Sequence, residues 1–118
     1  MTYEGTTLAA RAPALFYHLV KRVVADRQWA DGTSSDDYFS DLRRAVRAAA
    51  TRIALYQRRG GCLVAAIAPN QIEPGRLGTG AAPWLLVVYS ADRGTIITGY
   101  QIAASVPPNL PEGVLWLK

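Results

Sequence analysis

A change in the spacing of apolar residues at Gly60-Gly61 constrains the fold of this chain more than any other feature. Before the glycine pair, apolar residues recur at the three- and four-residue spacing of amphipathic helices; after it, they come in short runs separated by turn residues. Helical patterns followed by strand patterns are typical of an α+β fold. We therefore predict two or three N-terminal helices followed by a three- to four-stranded antiparallel β-meander.

Two helical patterns precede the glycine pair. Pro13 suits a first helical turn, and a single apolar stripe predicts a helix over residues 13–29. That stripe comprises Leu15, Phe16, Leu19, Val20, Val23 and Val24. Residues 31–35 supply a turn and N-cap candidates for a second helix, which Gly60-Gly61 would end as a C-cap. The stripe of this second helix comprises Tyr38, Leu42, Val46 or Ala45, Ala49, Ile53 and Tyr56.

Short apolar runs after Gly61 predict the meander. They cover residues 62–68, 84–90, 95–103 and 114–117, and the last of these is expected to be an edge strand. Asp92-Arg93-Gly94 predicts a tight turn, so the strands on either side of it should pair antiparallel. Residues 69–83 form a loop of about 15 residues, a length that is often functional in compact domains.

Length and composition exclude several classes of protein. The 118 residues predict a single domain over residues 1–118. One cysteine, Cys62, and one histidine, His18, exclude four-cysteine zinc clusters and most histidine-rich sites, so we expect no metal and no other cofactor. The longest apolar run, residues 81–89, is far shorter than the ~20 residues that span a bilayer, so no membrane partner is expected. No signal peptide is visible, which favours a cytoplasmic site of action.

The charges are unevenly distributed, although the formal net charge is only +4. Residues 26–41 contain five aspartates and one arginine, whereas residues 42–61 contain six arginines and no acid. On the predicted second helix, Arg43, Arg47 and Arg58 fall near one face, where they could bind phosphates or an acidic partner. The alternatives are a solvated helix surface and an arginine bias that comes from a high-GC genome.

Two further sites carry groups suited to acid–base chemistry or anion binding. His18 and Arg22 share a face of the first predicted helix, and nearby cations disfavour a protonated histidine, which suits a general base. Arg76 lies in the glycine-rich segment 74–80, where it could clamp an anion. A surface histidine without a role and a flexible connector are the respective alternatives.

The strand over residues 95–103 carries a third candidate. Side chains alternate along a strand, so Ile96, Thr98 and Tyr100 should project from one face. The hydroxyl of Thr98 and the phenol of Tyr100 could then donate hydrogen bonds to one phosphate. The alternative is ordinary β-propensity, since threonine and tyrosine are common in strands.

The hairpin over residues 85–102, with Thr98 and Tyr100 in its second strand, resembles the last hairpin of the barnase–EndoU–colicin–RelE-like nuclease superfamily. Many members place one or two helices before a four-stranded antiparallel sheet and carry a basic residue or histidine on the early helix, as His18 would be here. Gly99 stands where alanine is commoner in the family, and Gln101 replaces the usual proline.

This resemblance implies metal-independent RNA cleavage, typically by a bacterial toxin, with a 2′,3′-cyclic phosphate as product. His18 would be the general base, Thr98 and Tyr100 would hold the phosphoryl oxygens, and Arg22 or Arg76 would neutralise their charge. The expected partners are RNA and an acidic immunity protein or antitoxin. Such a domain could also be delivered as the C-terminal part of a secreted toxin.

Two non-catalytic hypotheses compete with this one. The chain could be an immunity protein, antitoxin or adaptor whose arginine-rich helix binds an acidic partner. It could also be a nucleic-acid-binding domain that contacts phosphates without chemistry. The nuclease hypothesis differs from both because it requires His18, Arg76, Thr98 and Tyr100 to converge on one concave surface.

Overall fold

The structure of the chain is a computed structural model, which describes residues 2–3, 18–19, 21–58, 61–106, 110–111 and 113–117. Within these ranges the chain forms strands, one regular α-helix, a π-helical turn and a 3₁₀ turn. In chain order they are β1 (Thr2–Tyr3), the π-helical turn (Lys21–Ala25), α1 (Ser35–Arg47), β2 (Arg52–Arg58), β3 (Gly61–Pro69), the 3₁₀ turn (Pro74–Arg76), β4 (Trp84–Ser90), β5 (Thr95–Ile102) and β6 (Leu115–Trp116).

The strands form one sheet with the order β1-β5-β4-β3-β2-β6. Strands β2 to β5 form an antiparallel meander in which each strand pairs with the next. β6 returns to pair antiparallel with β2 at one edge, and β1 pairs parallel with β5 at the other. None of the helices within the described ranges has the length and apolar character that a membrane span requires.

The prediction of two or three N-terminal helices is wrong. The first predicted helix falls partly outside the described residues, at positions 13–17 and 20. His18 and Leu19 are helical, but Lys21–Ala25 form a single π-helical turn and the helix ends there rather than at Trp29. The chain turns away at Arg27, which has a φ of 53°, and the amide of Gln28 donates to the carbonyl of Arg22. This turn brings Trp29 to a bridge with the loop before β4.

The second predicted helix is α1, which begins where it was expected but ends twelve residues earlier than residue 59, at Arg47. Ser34 caps it by accepting a hydrogen bond from the amide of Asp37, at 3.1 Å. At the other end Ala48 is extended, with a ψ of 142°, and the hydroxyl of Thr51 donates to the carbonyl of Ala45. The following seven residues form β2 instead of continuing the helix.

There is a physical reason why residues 52–58 were predicted to be helical but form β2. Ile53 and Tyr56 are three residues apart and so extend the helical stripe, but the segment also alternates, with Ile53 and Leu55 on one face and Ala54 and Tyr56 on the other. Pairing with β3 satisfies the backbone along the whole of β2 and buries side chains on both faces. The predicted meander therefore gains a strand at the expense of a helix. The four predicted strands are confirmed, within one residue at every end.

The two faces of the sheet have different coverings. On the α1 face, Tyr38, Leu42 and Ala45 of α1 pack in one buried cluster with side chains of β3 and β4, among them Ala66 and Val87. The opposite face carries a second cluster of four buried residues, namely Ala54, Ala65, Ile67 and Leu86. Partly buried aromatic side chains pack around this second cluster; they are Tyr56, Trp84, Tyr100 and Trp116.

Candidate active site

Thr98 and Tyr100 share the opposite face of the sheet. In the antiparallel register Thr98 pairs with Val88 and Tyr100 pairs with Leu86. Directly paired residues project from the same side of a sheet, and Leu86 belongs to the cluster of the opposite face. The predicted common face of Thr98 and Tyr100 is therefore present.

A β-bulge at Ile97 decides which face these residues occupy. Ile96 pairs with Tyr89 and Thr98 pairs with Val88, so Ile97 has no partner of its own on β4. The extra residue reverses the alternation: Ile96 lies in the core of the α1 face, while Thr98 and Tyr100 point away from it. The prediction that Ile96 shares their face is wrong for this reason.

Arg22 joins the two strand residues from a distant part of the sequence. Its Nη2 lies 3.4 Å from Oγ1 of Thr98, and its Cζ lies 4.5 Å from the ring centroid of Tyr100. The guanidinium side chain is 10% exposed and forms an ion pair with Asp26, with Nη1 and Oδ2 2.6 Å apart. Two residues of the first predicted helix and two of the last hairpin therefore meet in one cluster, which we call the Arg22 cluster: Arg22, Asp26, Thr98 and Tyr100.

The pairing within the Arg22 cluster leaves hydrogen-bonding capacity unused. The Nε of Arg22 is buried and has no hydrogen-bond partner among the described residues. The contact from Nη2 to Thr98 is long for a hydrogen bond, so an anionic oxygen could replace it with little loss. A buried guanidinium with a free N–H and a second, weakly engaged one is suited to bind a phosphate or carboxylate by two bonds.

A side-chain amide holds the segment carrying Arg22 against the edge of β5. Nε2 of Gln28 donates to the carbonyl of Gln101 at 2.8 Å, and the amide of Gln101 donates to Oε1 of Gln28 at 2.7 Å. Gln28 thus occupies backbone groups that a neighbouring strand would otherwise pair. Because the carbonyl of Arg22 also accepts from the amide of Gln28, this contact fixes the position of Arg22 beside Tyr100.

His18 precedes Arg22 by four residues and is partly buried. Its pKa is lowered from the usual 6.5, first by burial and then by the positive charges of Arg22 and Lys21. Arg22 follows His18 by four residues, and its positive charge opposes protonation of the imidazole. At neutral pH it is therefore held in its neutral form, which can accept a proton.

Arg76 is not part of this cluster. Its Nη2 and Nε lie 2.5 and 3.0 Å from the two carboxylate oxygens of Asp41, a fully buried residue of α1. Arg44 and the indole N–H of Trp29 bind the same carboxylate, at 3.0 and 3.1 Å. Because Asp41 belongs to the α1 side of the sheet, the structure does not bring Arg76 together with Thr98 or Tyr100. It ties the loop over residues 69–83 to the helix instead.

Arg43, Arg47 and Arg58 do not share the helix face that was predicted for them. Arg43 stacks on Phe39, with its Cζ 4.9 Å from the ring centroid, and Arg47 is exposed in the last turn of α1. Arg58 lies at the end of β2, beyond the helix, so the three residues do not share a helix face. The expectation failed because it assumed that the helix continued through residue 58.

Sequence reasoning missed Asp26 and Tyr56. Asp26 follows Arg22 at the four-residue spacing of helical ion pairs, and that spacing could have identified it. Tyr56 was assigned to the apolar stripe of a helix, but on β2 it packs against the cluster of the opposite face, as Tyr100 does from β5. The alternation of residues 53–56 could have placed it there.

A separate cavity of about 190 Å³ lies between the turn at Arg27 and the loop before β4. Trp29, Leu77 and Thr79 contribute to its lining, while no member of the Arg22 cluster does. No three His, Cys, Asp or Glu side chains within the described ranges are grouped in a way that could hold a metal ion. Within the described ranges, the Arg22 cluster combines a buried cation with the hydroxyl groups of Thr98 and Tyr100.

Comparison of the chain with models of protein families, with curated proteins and with solved structures produced no match.

Proposed function

We propose that the chain is a metal-independent ribonuclease that cleaves RNA through attack of a ribose 2′-hydroxyl on the adjacent phosphate. The observation that carries the proposal is the guanidinium of Arg22, nine-tenths buried and held against Thr98 and Tyr100 with its Nε–H unpaired. A phosphodiester offers two anionic oxygens, which fit the planar fork of an arginine and an adjacent hydroxyl.

Each residue has a separate role in this reaction. His18, neutral at pH 7 because its pKa is lowered, takes the proton of the 2′-hydroxyl. The 2′-oxygen attacks phosphorus, and Arg22 stabilises the negative charge that develops on the phosphoryl oxygens. Thr98 and Tyr100 donate hydrogen bonds to the same oxygens. The product is a 2′,3′-cyclic phosphate, and DNA is inert because it lacks the attacking hydroxyl.

The resemblance of the hairpin extends the proposal to a biological setting. A toxin that cleaves RNA acts in a cytoplasm and is held inactive by an immunity protein or antitoxin in the cell that makes it. The formal net charge of +4 and the arginines of residues 42–61 would attract an acidic inhibitor.

The test is cleavage of total RNA by the purified protein in the presence of a chelator. We expect the wild type to degrade RNA to fragments that end in a cyclic phosphate, detected by mass spectrometry. Arg22→Lys keeps the charge but loses the fork, and removal of one such transition-state donor lowers a rate by about 10²–10³-fold. Arg47→Gln, at an exposed position of α1, is the matched control and should cleave at the wild-type rate.

His18→Ala tests the assigned base. We expect it to lower the cleavage rate by about 10²–10⁴-fold, the usual contribution of a positioned general base. Cleavage at the wild-type rate in this variant would reject His18 as the base while leaving the activity itself in place.

RNA that stays intact over a wide range of wild-type concentrations would contradict the proposal and favour a non-catalytic binding module. In that case Arg43→Gln and Arg47→Gln should weaken binding of RNA or of an acidic protein, while Arg22→Lys should leave it unchanged. The two groups of variants therefore separate the hypotheses by their opposite patterns.

A further inference from the structure

Three contacts fix the guanidinium of Arg22. Its Nη1 donates to Oδ2 of Asp26 at 2.6 Å, its Nη2 lies 3.4 Å from Oγ1 of Thr98, and the ring centroid of Tyr100 lies 4.5 Å from its Cζ. Its Nε is buried and has no hydrogen-bond partner among the described residues. The N–H groups of Nε and Nη2 form one edge of the planar guanidinium, and this edge is the one that remains for a ligand.

The contact with Asp26 selects this edge. A guanidinium can bind two oxygens either through Nε and Nη2 or through its terminal nitrogens, Nη1 and Nη2. The carboxylate of Asp26 occupies Nη1, so only the first of these edges is left. The ion pair therefore determines how a phosphate can sit on Arg22, in addition to offsetting the cost of burying its charge.

The backbone holds Asp26 in place from two sides. Its amide donates to the carbonyl of Lys21 at 2.9 Å, which closes the π-helical turn that also carries Arg22. On the other side, the amide of Gly80 donates to the carbonyl of Arg27 at 2.7 Å, and a Cβ at Gly80 would collide with the carbonyl oxygen of Asp26. The loop over residues 69–83 is therefore packed directly against the residue that orients Arg22.

A carboxylate beside a phosphate-binding arginine has an electrostatic cost. It repels the anion and weakens binding, and solvent screens this repulsion poorly because the Arg22 side chain is only 10% exposed. The presence of Asp26 is explained if the orientation of Arg22 matters more to the reaction than the strength of phosphate binding. Misplacement of a reacting group by about 1 Å can slow a reaction by about 10²-fold.

We propose that Asp26 is a positioning residue of the cleavage reaction, an inference that rests on the proposed ribonuclease function. By holding Nη1, Asp26 presents Nε and Nη2 of Arg22 to the two non-bridging oxygens of the scissile phosphate. Nε donates to one of these oxygens, while Nη2 and the hydroxyl of Thr98 donate to the other. Asp26 itself does not touch the substrate.

The test compares the two diastereomers of an RNA dinucleotide in which sulfur replaces one or the other non-bridging oxygen. Because the two oxygens meet different donors, we expect the wild type to cleave one diastereomer faster than the other by about tenfold or more. Asp26→Ala should lower this preference to about twofold or less, since the guanidinium can then rotate. Asp26→Asn keeps an oxygen within reach of Nη1 and should stay within about threefold of the wild-type preference.

The preference is a ratio of two rates measured on the same protein, so it does not depend on the fraction of the protein that is folded. Asp31→Ala is the matched control, because Asp31 is an exposed aspartate five residues after Asp26 and lies outside the Arg22 cluster. It should keep the wild-type preference. Arg22→Lys should lose the preference, and the addition of Asp26→Ala to it should change nothing further, because both changes remove the same oriented edge.

Slower cleavage by Asp26→Ala with an unchanged preference would make Asp26 a structural partner of Arg22 and overturn the inference. Loss of the preference in Asp31→Ala as well would also overturn it, since the effect would then come from net charge. A wild type that cleaves both diastereomers at one rate would overturn the inference and leave the ribonuclease proposal in place. A wild type that cleaves neither these substrates nor natural RNA would overturn the ribonuclease proposal itself, so the two failures are distinguishable.

Discussion

The buried carboxylate of Asp41 and the buried guanidinium of Arg22 lie on opposite faces of the sheet and are paired to different extents. On the α1 face, Asp41 is fully buried, and Arg44, Arg76 and Trp29 engage both of its carboxylate oxygens. On the opposite face, the guanidinium of Arg22 keeps a buried N–H that no described residue accepts. A fully satisfied polar network stabilises a fold, whereas a partly satisfied one retains the capacity to bind a ligand.

Contacts between arginines and aromatic side chains also distinguish the opposite face from the α1 face. On the opposite face, Arg22 lies over Tyr100 and Arg52 lies over Trp116, with the Cζ atoms 4.5 and 4.2 Å from the ring centroids. Cations over aromatic rings that are only partly buried form a surface suited to phosphates and bases. Arginine content alone therefore does not locate a binding surface, because Arg44 and Arg76 are both paired with the buried carboxylate of Asp41.

The largest effect should come from breaking the network on the α1 face. Asp41→Ala leaves the indole N–H of Trp29 without its acceptor and removes the carboxylate that fixes Arg76. Loss of one partner of a buried ion pair costs about 3–5 kcal/mol of unfolding free energy, measured by urea unfolding.

Asp36→Ala is the matched control, since Asp36 is an exposed aspartate in the first turn of α1, and its effect should stay near 1 kcal/mol or below. If the two variants lost similar amounts of stability, the network around Asp41 would not hold the fold and the contrast between the faces would disappear.

A smaller loss of unfolding free energy is expected from a change at the contact between α1 and β5. A Cβ at Gly99 would lie 2.3 Å from Cδ2 and 2.7 Å from Cδ1 of Leu42, which is fully buried. Gly99→Ala should therefore lower the free energy of unfolding by about 1–3 kcal/mol, as overpacking does. RNA cleavage by the folded protein should be unchanged, because Gly99 faces α1 while Thr98 and Tyr100 face away.

Gly61→Ala provides the comparison for this variant, since a Cβ there would meet its nearest neighbour, Oδ2 of Asp92, at an ordinary 3.6 Å. Combining Gly99→Ala with Leu42→Ala should cost less than the sum of the two single changes, because the second makes room for the first. Additive losses would show that the contact with Leu42 is not the cause.

The hairpin of β4 and β5 could be predicted from local sequence because its signals are local. The turn residues Asp92-Arg93-Gly94 and the apolar runs beside them specify both strands, and the amide of Gly94 donates to the carbonyl of Ser90 to close the turn. The end of α1 could not be predicted in this way. Residues 52–58 satisfy a helical period and a strand period alike, and only their pairing with β3 decides between them.

The candidate site, too, was predictable only where its signals are local in the sequence. The common face of Thr98 and Tyr100 follows from their spacing of two, whereas the bulge at Ile97 appears only in the register with β4. Arg22 reaches these residues because Gln28 pairs with Gln101, 73 positions away along the chain. Such a long-range match between one side-chain amide and one strand edge has no periodic signal in the sequence.

The titration of His18 should have the smallest effect on the free energy of unfolding. It is also the sharpest test of the contrast between the faces. Burial, Arg22 and Lys21 lower its pKa below 6.5, so the folded protein binds this proton less readily than the unfolded chain does. The free energy of unfolding should therefore fall as the pH falls through 6.5 and level off once the pH is below the lowered pKa. For cleavage, the acid limb of kcat/KM should have its midpoint below 6.5, with a tenfold loss per pH unit beyond it.

Because His18 is the only histidine, its imidazole resonances can be followed by NMR without overlap from other histidines. Lys21→Gln should raise the midpoint by less than Arg22→Gln does, since Lys21 is the smaller electrostatic cause. A midpoint at or above 6.5 in the folded protein would mean that neither burial nor Arg22 acts on the imidazole. His18 would then lie apart from the Arg22 cluster and could not serve as its base.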